Sequence, residues 1–269
     1  MTRARANRQA ATDAFLVDHE NLGTPESQWR ESGRLDLQRP LGPLTADRIV
    51  IVAPHPDDEV LGAGGLIQWG VEEGVEIKIL AVTDGERSYP WLDPSQSRAL
   101  ARRRIDETTE ALRRLGCTNS TVERLEVPDG QVAHCWSQLS DRLAATLRPS
   151  DWCVAPWRHE GHPDHDVCGE VAREVSASSR ARLLSYMVWT WHWARPDDGN
   201  IPWSACRQLA LSRRQRARKR WATSAFETQI SGSGTLFFEE PVLPASVLRR
   251  FWRPYEMFID ESEIGVDID

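Results

Sequence analysis

Two polar stretches carry the residue types that bind metals and move protons. In the first, Pro54-His55-Pro56-Asp57-Asp58-Glu59 follows the apolar, largely β-branched run Ile49-Val50-Ile51-Val52 and leads into Leu61-Gly62-Ala63-Gly64-Gly65. In the second, Trp157-Arg158-His159-Glu160-Gly161-His162-Pro163-Asp164-His165 follows Asp151 to Pro156. A catalytic divalent metal needs about three protein ligands and keeps one position open for water or substrate. His55 and Asp58 from the first stretch, with His162, Asp164 and His165 from the second, supply such donors. Two imidazoles and a carboxylate suit Zn²⁺ best and also accept Fe²⁺ or Co²⁺.

Residues so far apart in sequence meet only if the fold brings two strand ends side by side. Ligands in open α/β sheets sit at the carboxyl ends of the strands, and both stretches follow predicted strands. The pattern predicts strands at 49–52, 75–83, 122–127, 151–156 and 183–193, and helices at 63–73, 97–115, 136–147 and 166–176. This alternation implies an α/β fold, a Rossmann-like doubly wound, mainly parallel sheet with helices on both faces and right-handed crossovers. Residues 1–45 read as an N-terminal arm, with a short helix at 10–19, and 46–269 as a single domain whose pattern weakens after 195. In that last part 206–226 reads as helix, Ser231-Gly232-Ser233-Gly234 as a turn, and the acidic tail from Glu261 as exposed.

The P-H-P-D-D-E of Pro54 to Glu59 with the G-H-P-D-H of Gly161 to His165 resembles the PIG-L (LmbE-like) zinc-dependent N-deacetylases. The resemblance extends through Leu61 to Gly65, Thr83 to Glu86, Arg103 to Glu107 and Pro128-Asp129-Gly130, and covers residues 45–195. It implies His55, Asp58 and His165 as metal ligands, Asp57 as general base, His162 as oxyanion stabiliser or acid, and Asp164 as the group that orients a neighbouring histidine. It further implies a hydrolase that removes the acetyl group of an N-acetylglucosamine-type conjugate, a small-molecule partner. An amidase on a related amide, or a noncatalytic metal-stabilised sugar-binding module, is the alternative. The chemistry agrees: Zn²⁺ acidifies a bound water to a pKa of about 7, and a carboxylate next to a ligand can take its proton. Where family members often carry a small residue, this chain has Arg87-Ser88-Tyr89-Pro90-Trp91.

The 269 residues, 40% hydrophobic and 27% charged, suffice for a full core. A net charge of −7 argues against a nucleic-acid binder, and the basic run Arg213 to Arg220 reads as a solvated helix face. Five scattered cysteines without a C-x-x-C pair point to a reducing, cytoplasmic setting, and no apolar run is long enough to span a bilayer. The sequence leaves room for a homo-oligomer. Glycines 62, 64 and 65 lack the G-x-G-x-x-G spacing and read as close-packing positions rather than a dinucleotide loop. Arg87 and Trp157, each following a strand end, are candidate substrate contacts, while Trp189, Trp191 and Trp193 read as one face of a strand in the core. His134, His159 and His192 read as structural or spare.

Overall fold

Runs in which every residue is buried form the two central strands, as expected where a sheet is covered on both faces. The computed structural model describes residues 23–89, 91–231 and 241–264. The expected helix at 10–19 and most of the Ser231 to Gly234 turn lie outside them. In chain order the elements are α1 (Glu26–Glu31), β1 (Arg39–Pro40), β2 (Arg48–Ala53), α2 (Asp58–Glu72), β3 (Glu76–Ala81), α3 (Pro94–Leu115), β4 (Thr121–Arg124), α4 (Trp136–Thr146), β5 (Asp151–Pro156), α5 (Pro163–Ser179) and β6 (Arg182–Tyr186). They continue with α6 (Thr190–Trp193), β7 (Cys206–Ala210), α7 (Arg213–Thr223), α8 (Glu227–Ile230), α9 (Ala245–Leu248) and β8 (Tyr255–Asp260), with short 3₁₀ turns between.

The eight strands form one sheet in the order β1-β7-β8-β6-β5-β2-β3-β4, parallel except where β8 runs antiparallel to β6 and β7. Alternate residues of β2 serve two cores. Ile49, Ile51 and Ala53 pack with residues of α2, α3 and α7, and Val50 and Val52 pack with residues of α4 and α5. The expected α/β, doubly wound, mainly parallel sheet with helices on both faces is therefore the observed one. From β2 the chain winds outward through β3 and β4, then returns to β5 on the other side of β2. That reversal is the topological switch point, where the carboxyl ends of adjacent strands open a crevice. At the opposite end of the same strands, Arg48 donates to Asp151 at 2.6 Å and to the Thr146 carbonyl at 2.7 Å.

The glycines after the first polar stretch are packing positions. A Cβ on Gly62 would lie 2.4 Å from the Tyr186 ring, and one on Gly65 would lie 2.9 Å from Glu256 Oε2. Helix α2 starts at Asp58, earlier than the apolar periodicity indicates, because the aspartate turn itself is its first turn.

Three expectations change in the last third. The strand expected over 183–193 ends at Tyr186, and Trp189, Trp191 and Trp193 do not alternate along it. The buried Glu160 carboxylate accepts from the amides of Val188 (2.7 Å), Trp189 (2.7 Å) and Thr190 (3.1 Å), which turns the chain into α6. The helix expected over 206–226 is a strand followed by a helix, because Ser212 and Gln215 form a capping box that starts α7 at Arg213. Lys219 in the basic run is buried, not solvated. Before the domain start expected at 46, Trp29 and Leu35 are buried in the main core, and β1 pairs with β7 at the sheet edge. Among the described residues, no helix is long and apolar enough to cross a membrane.

Gly62→Ala is expected to lower stability by about 1–3 kcal/mol through overpacking against Tyr186. Gly199→Ala, whose Cβ would meet nothing within 4 Å, should stay within about 0.5 kcal/mol of the parent. Urea denaturation midpoints of the two variants check this, and equal effects would contradict the packing role.

Candidate metal centre

The C-terminal ends of β2 and β5 deliver the two polar stretches to one place. His55 lies just past β2, Asp58 opens α2, and His165 sits in the first turn of α5, whose N-cap residue is His162. His55 Nδ1, Asp58 Oδ2 and His165 Nε2 form a triangle with edges of 3.2 Å (His55 to His165), 3.5 Å (His55 to Asp58) and 3.2 Å (His165 to Asp58). Ligands about 2.0–2.1 Å from a tetrahedral metal are separated by about 3.3–3.4 Å, so the triangle fits one face of such a coordination shell. His55, His162 and Asp164 also gather donor atoms within 4.8 Å of one another, so His55 is common to both sets.

Carboxylates stand behind the imidazoles. His55 Nε2 is 3.2 Å from Asp164 Oδ2 and 3.2 Å from Asp129 Oδ1, and His165 Nδ1 is 3.5 Å from Glu160 Oε2. Asp164 thus backs His55, while the neighbouring His165 is backed by Glu160. Asp164 also accepts from the amides of Gly130 (2.8 Å) and Val132 (3.2 Å), which ties the Pro128-Asp129-Gly130 turn to the site. Asp129 in turn accepts from the Arg87 amide at 3.0 Å, and its own amide donates to Glu86 Oε1 at 3.0 Å.

The electrostatics favour a cation. Burial pushes the His55 imidazole down, but Asp129, Asp164 and Asp58 outweigh it and hold it well above its usual range. Burial likewise opposes a charged His165, yet Asp58 and Glu160 raise its pKa to about 9. Burial would raise Asp58, and the two imidazoles overcome it and hold the carboxyl low. The group therefore attracts positive charge, and Asp58 is the carboxylate that stands in the triangle itself.

Asp57 and His162 behave in the opposite sense. Burial, then the charges of Asp58 and Glu59, raise the Asp57 pKa well above the carboxylate range. The Asp57 backbone has φ 120° and ψ −28°, a conformation that a non-glycine residue holds at about 1–3 kcal/mol of strain. Its amide is tethered to Glu59 Oε2 at 3.1 Å, while burial pushes Glu59 itself up to about 8. His162 is held well below its usual pKa by burial and by the His55 and His165 charges. Its Nδ1 accepts from the Asp164 amide at 3.2 Å, so the neutral ring carries its proton on Nε2.

The two candidate substrate contacts are placed differently. The Arg87 side chain is exposed on the loop that Asp129 anchors. Trp157 is only 4% exposed, packed in the core with its ring edge-on to His159, so its face is withdrawn from the stacking role expected of it. Trp189 is the ring that stacks on His162, at 6.2 Å and 25° between planes. His192 is buried against Arg250 Nη1 at 3.0 Å, while His134 and His159 are exposed.

The sequence assigned no role to Asp129, Glu160 or Arg104. Arg104 is buried and donates to the Gly85 carbonyl (2.7 Å), Ser88 Oγ (2.8 Å) and Thr228 Oγ1 (3.3 Å), and its charge acts on both Asp57 and Asp129. The signal for all three lay in short motifs, R-R-x-D-E, P-D-G and R-H-E-G, whose charged residues had no visible partners.

Residues 50–176 match the PIG-L family, described as GlcNAc-PI de-N-acetylase. The chain is 27% identical over 136 residues to the diacetylchitobiose deacetylase of Thermococcus kodakarensis, covering 48% of each protein. It is 29% identical over 134 residues to a probable N-acetyl-α-D-glucosaminyl L-malate deacetylase 2 of Bacillus subtilis, covering 46% of this chain and 58% of that protein. The chain thus spans about half the length of the curated relatives it matches. Among solved structures it resembles the conserved protein TT1542 of Thermus thermophilus, with TM-score 0.51 and 26% identity over 68% of this chain and 80% of that one. The fold is also like that of the N,N′-diacetylchitobiose deacetylase of Pyrococcus horikoshii, with TM-score 0.50 and 19% identity over 84% of this chain and 80% of that one. The stretch that matches the PIG-L family, residues 50–176, contains both polar turns at the switch point of the doubly wound sheet.

Proposed function

We propose that this chain is a zinc-dependent hydrolase that removes the N-acetyl group from an N-acetylglucosamine-type conjugate, giving acetate and a free amine. The observation that carries this reading is the His55, Asp58 and His165 triangle with Asp57 immediately before Asp58. Its relatives' activities, diacetylchitobiose deacetylation among them, support the amide of an amino sugar as the bond cleaved. The free thiols of all five cysteines accord with a reducing, cytoplasmic setting.

In this reading His55, Asp58 and His165 hold the ion, and Asp129, Asp164 and Glu160 orient the two imidazoles from behind. When bound there, Zn²⁺ supplies a Lewis acid and an acidified water. Asp57, whose pKa burial and the adjacent carboxylates raise, takes the proton of the attacking water at a carboxylate oxygen. His162 stays neutral, held so by its burial and its charged neighbours, and a bound dication would act in the same sense. Its Nε2 proton is then a hydrogen-bond donor to the oxyanion of the tetrahedral intermediate. A neutral imidazole is a poor source of a proton for the departing amine, so Asp57 returns the proton it took. Trp189 stacked on His162 keeps the imidazole in its plane.

Asp57→Asn is expected to lower kcat about 10²–10⁴-fold while metal content stays at the parent level. Amine release from a panel of N-acetylglucosamine conjugates, beside metal analysis of the same samples, checks it, and retained turnover would remove Asp57 as the base. Asp57→Gly should be equally inactive yet unfold at a higher temperature, since glycine tolerates the positive φ; a lower melting temperature would refute the strain. Glu160→Gln is expected to weaken Zn²⁺ binding about 10–100-fold, read by competition with a chromophoric chelator, and parent-like affinity would dismiss its part in orienting His165.

A further inference from the structure

Helix α2 is broken about one turn after Asp58, and a buried ion pair fills the break. Ala63 has φ −137° and ψ 15°, outside the helical region. In an unbroken helix the Gly65 amide donates to the Leu61 carbonyl. Here the Gly65 amide donates to Glu256 Oε1 at 2.6 Å and the Leu66 amide to Glu256 Oε2 at 2.9 Å. The Leu61 carbonyl accepts from Lys219 Nζ at 2.8 Å, and Lys219 Nζ meets Glu256 Oε1 at 2.6 Å. An ammonium and a carboxylate thus stand in one rung of the helical ladder, connected to each other and to both sides of the gap.

Both side chains are shielded from solvent, Lys219 at 2% and Glu256 at 5% exposure. A Cβ on Gly64 would lie 3.3 Å from Lys219 Cγ, and one on Gly65 would meet the Glu256 carboxylate, so these glycines admit the pair. Gln68 fastens the second segment of the helix by donating to the Gly64 carbonyl and, across to α7, to the Gln215 carbonyl, each at 3.1 Å. Removing two charges from water is weak support for stability alone, because apolar side chains of similar volume often serve as well. The pair's distinctive property is direction: it grips the last carbonyl of the single turn that begins with Asp58 and follows the strained Asp57.

We propose that Lys219 and Glu256 are positioning residues for the metal centre. Their ion pair fixes the first turn of α2 at its break and thereby sets Asp58 against the two imidazoles and Asp57 beside it. This rests on the proposed metal centre. Lys219 comes from α7 and Glu256 from β8, so elements outside residues 50–176 set the geometry of a site whose ligands all lie within them.

The test uses the full chain, stripped of metal, with Zn²⁺ affinity read by chelator competition and site geometry by the visible absorption of Co²⁺. Glu256→Gln and the charge-free double variant Lys219→Met with Glu256→Gln are compared with Arg48→Met, which breaks a buried pair at the far end of the same strands. Lys219→Arg, which keeps the charge and alters the reach, is the milder version should the others fail to fold. Zn²⁺ affinity lower by about 10–100-fold in the Lys219 and Glu256 variants, with a changed Co²⁺ spectrum, is the expected result. Arg48→Met should melt earlier but bind both ions as the parent does. Folded variants at Lys219 and Glu256 with parental affinity and spectrum overturn the proposal. A parent chain that takes up no Zn²⁺ overturns it together with the metal centre. A parent that binds Zn²⁺ and hydrolyses no conjugate, with the variants weakened as expected, supports the positioning role and counts against the deacetylase reading alone.

Discussion

Parallel pairing of β2 with β5 is the constraint on which the rest of this structure depends. In that register Arg48 lies opposite Asp151 and Ile51 opposite Val154, so both strands end at the same level and release their polar turns into one crevice. A parallel pair cannot be closed by a tight turn, so the chain between them must go out through β3 and β4 and return. The excursion brings back the Pro128-Asp129-Gly130 turn, whose aspartate faces His55, and the loop after β3, which that aspartate holds. The partners of the central imidazoles therefore come from successive strand ends of one sheet.

Within that crevice, several local preferences give way to the site. Asp57 holds a backbone angle that suits glycine, α2 breaks at Ala63, and Asp57, Asp58 and Glu59 stand together away from solvent. Each is unfavourable alone, and each is compensated by a specific contact: the Glu59 carboxylate on the Asp57 amide, the Lys219 and Glu256 pair at the break, and the imidazoles against Asp58. Local strain that persists only because surrounding groups determine it is characteristic of functional sites. The buried Arg104 extends the pattern, joining the loop after β3 to Thr228 beside the crevice.

The central half of the fold was legible because a strand buried on both faces reads as an uninterrupted apolar run, as Ile49 to Val52 does. The clusters at His55 and His162 were legible because ligand types recur at short spacing after such runs. Periodicity failed where polar side chains enter the sheet with distant partners. β7 contains Arg207, paired with Glu263, and Gln208, which donates to the Leu35 carbonyl, and neither partner is near in sequence. Cys206 to Ala210 therefore does not read as a strand, and Tyr255 to Asp260 hides Glu256 in the same way. Trp189, Trp191 and Trp193 alternate in sequence as strand residues do, but the Glu160 carboxylate gathers the amides of Val188, Trp189 and Thr190 and turns the chain into a helix. Glu160 is an ordinary loop acid until its acceptors' positions are known.

The place of β8 bears on the order in which this protein is made. Its residues are synthesised after all the other strands of the described residues, yet it lies inside the sheet, between β6 and β7, rather than at an edge. While a ribosome is still extending the chain, β4, β3, β2, β5 and β6 can assemble as a parallel unit that ends in an uncovered β6 edge. β7 and β1 have no place on it until residues 255–260 arrive. An open β6 edge presents unpaired amides and carbonyls to any neighbouring strand, so the nascent chain is most exposed to mispairing in that interval. β8 thus carries both an interior strand of the sheet and the carboxylate at the α2 break, and a chain shortened before residue 255 would lack both.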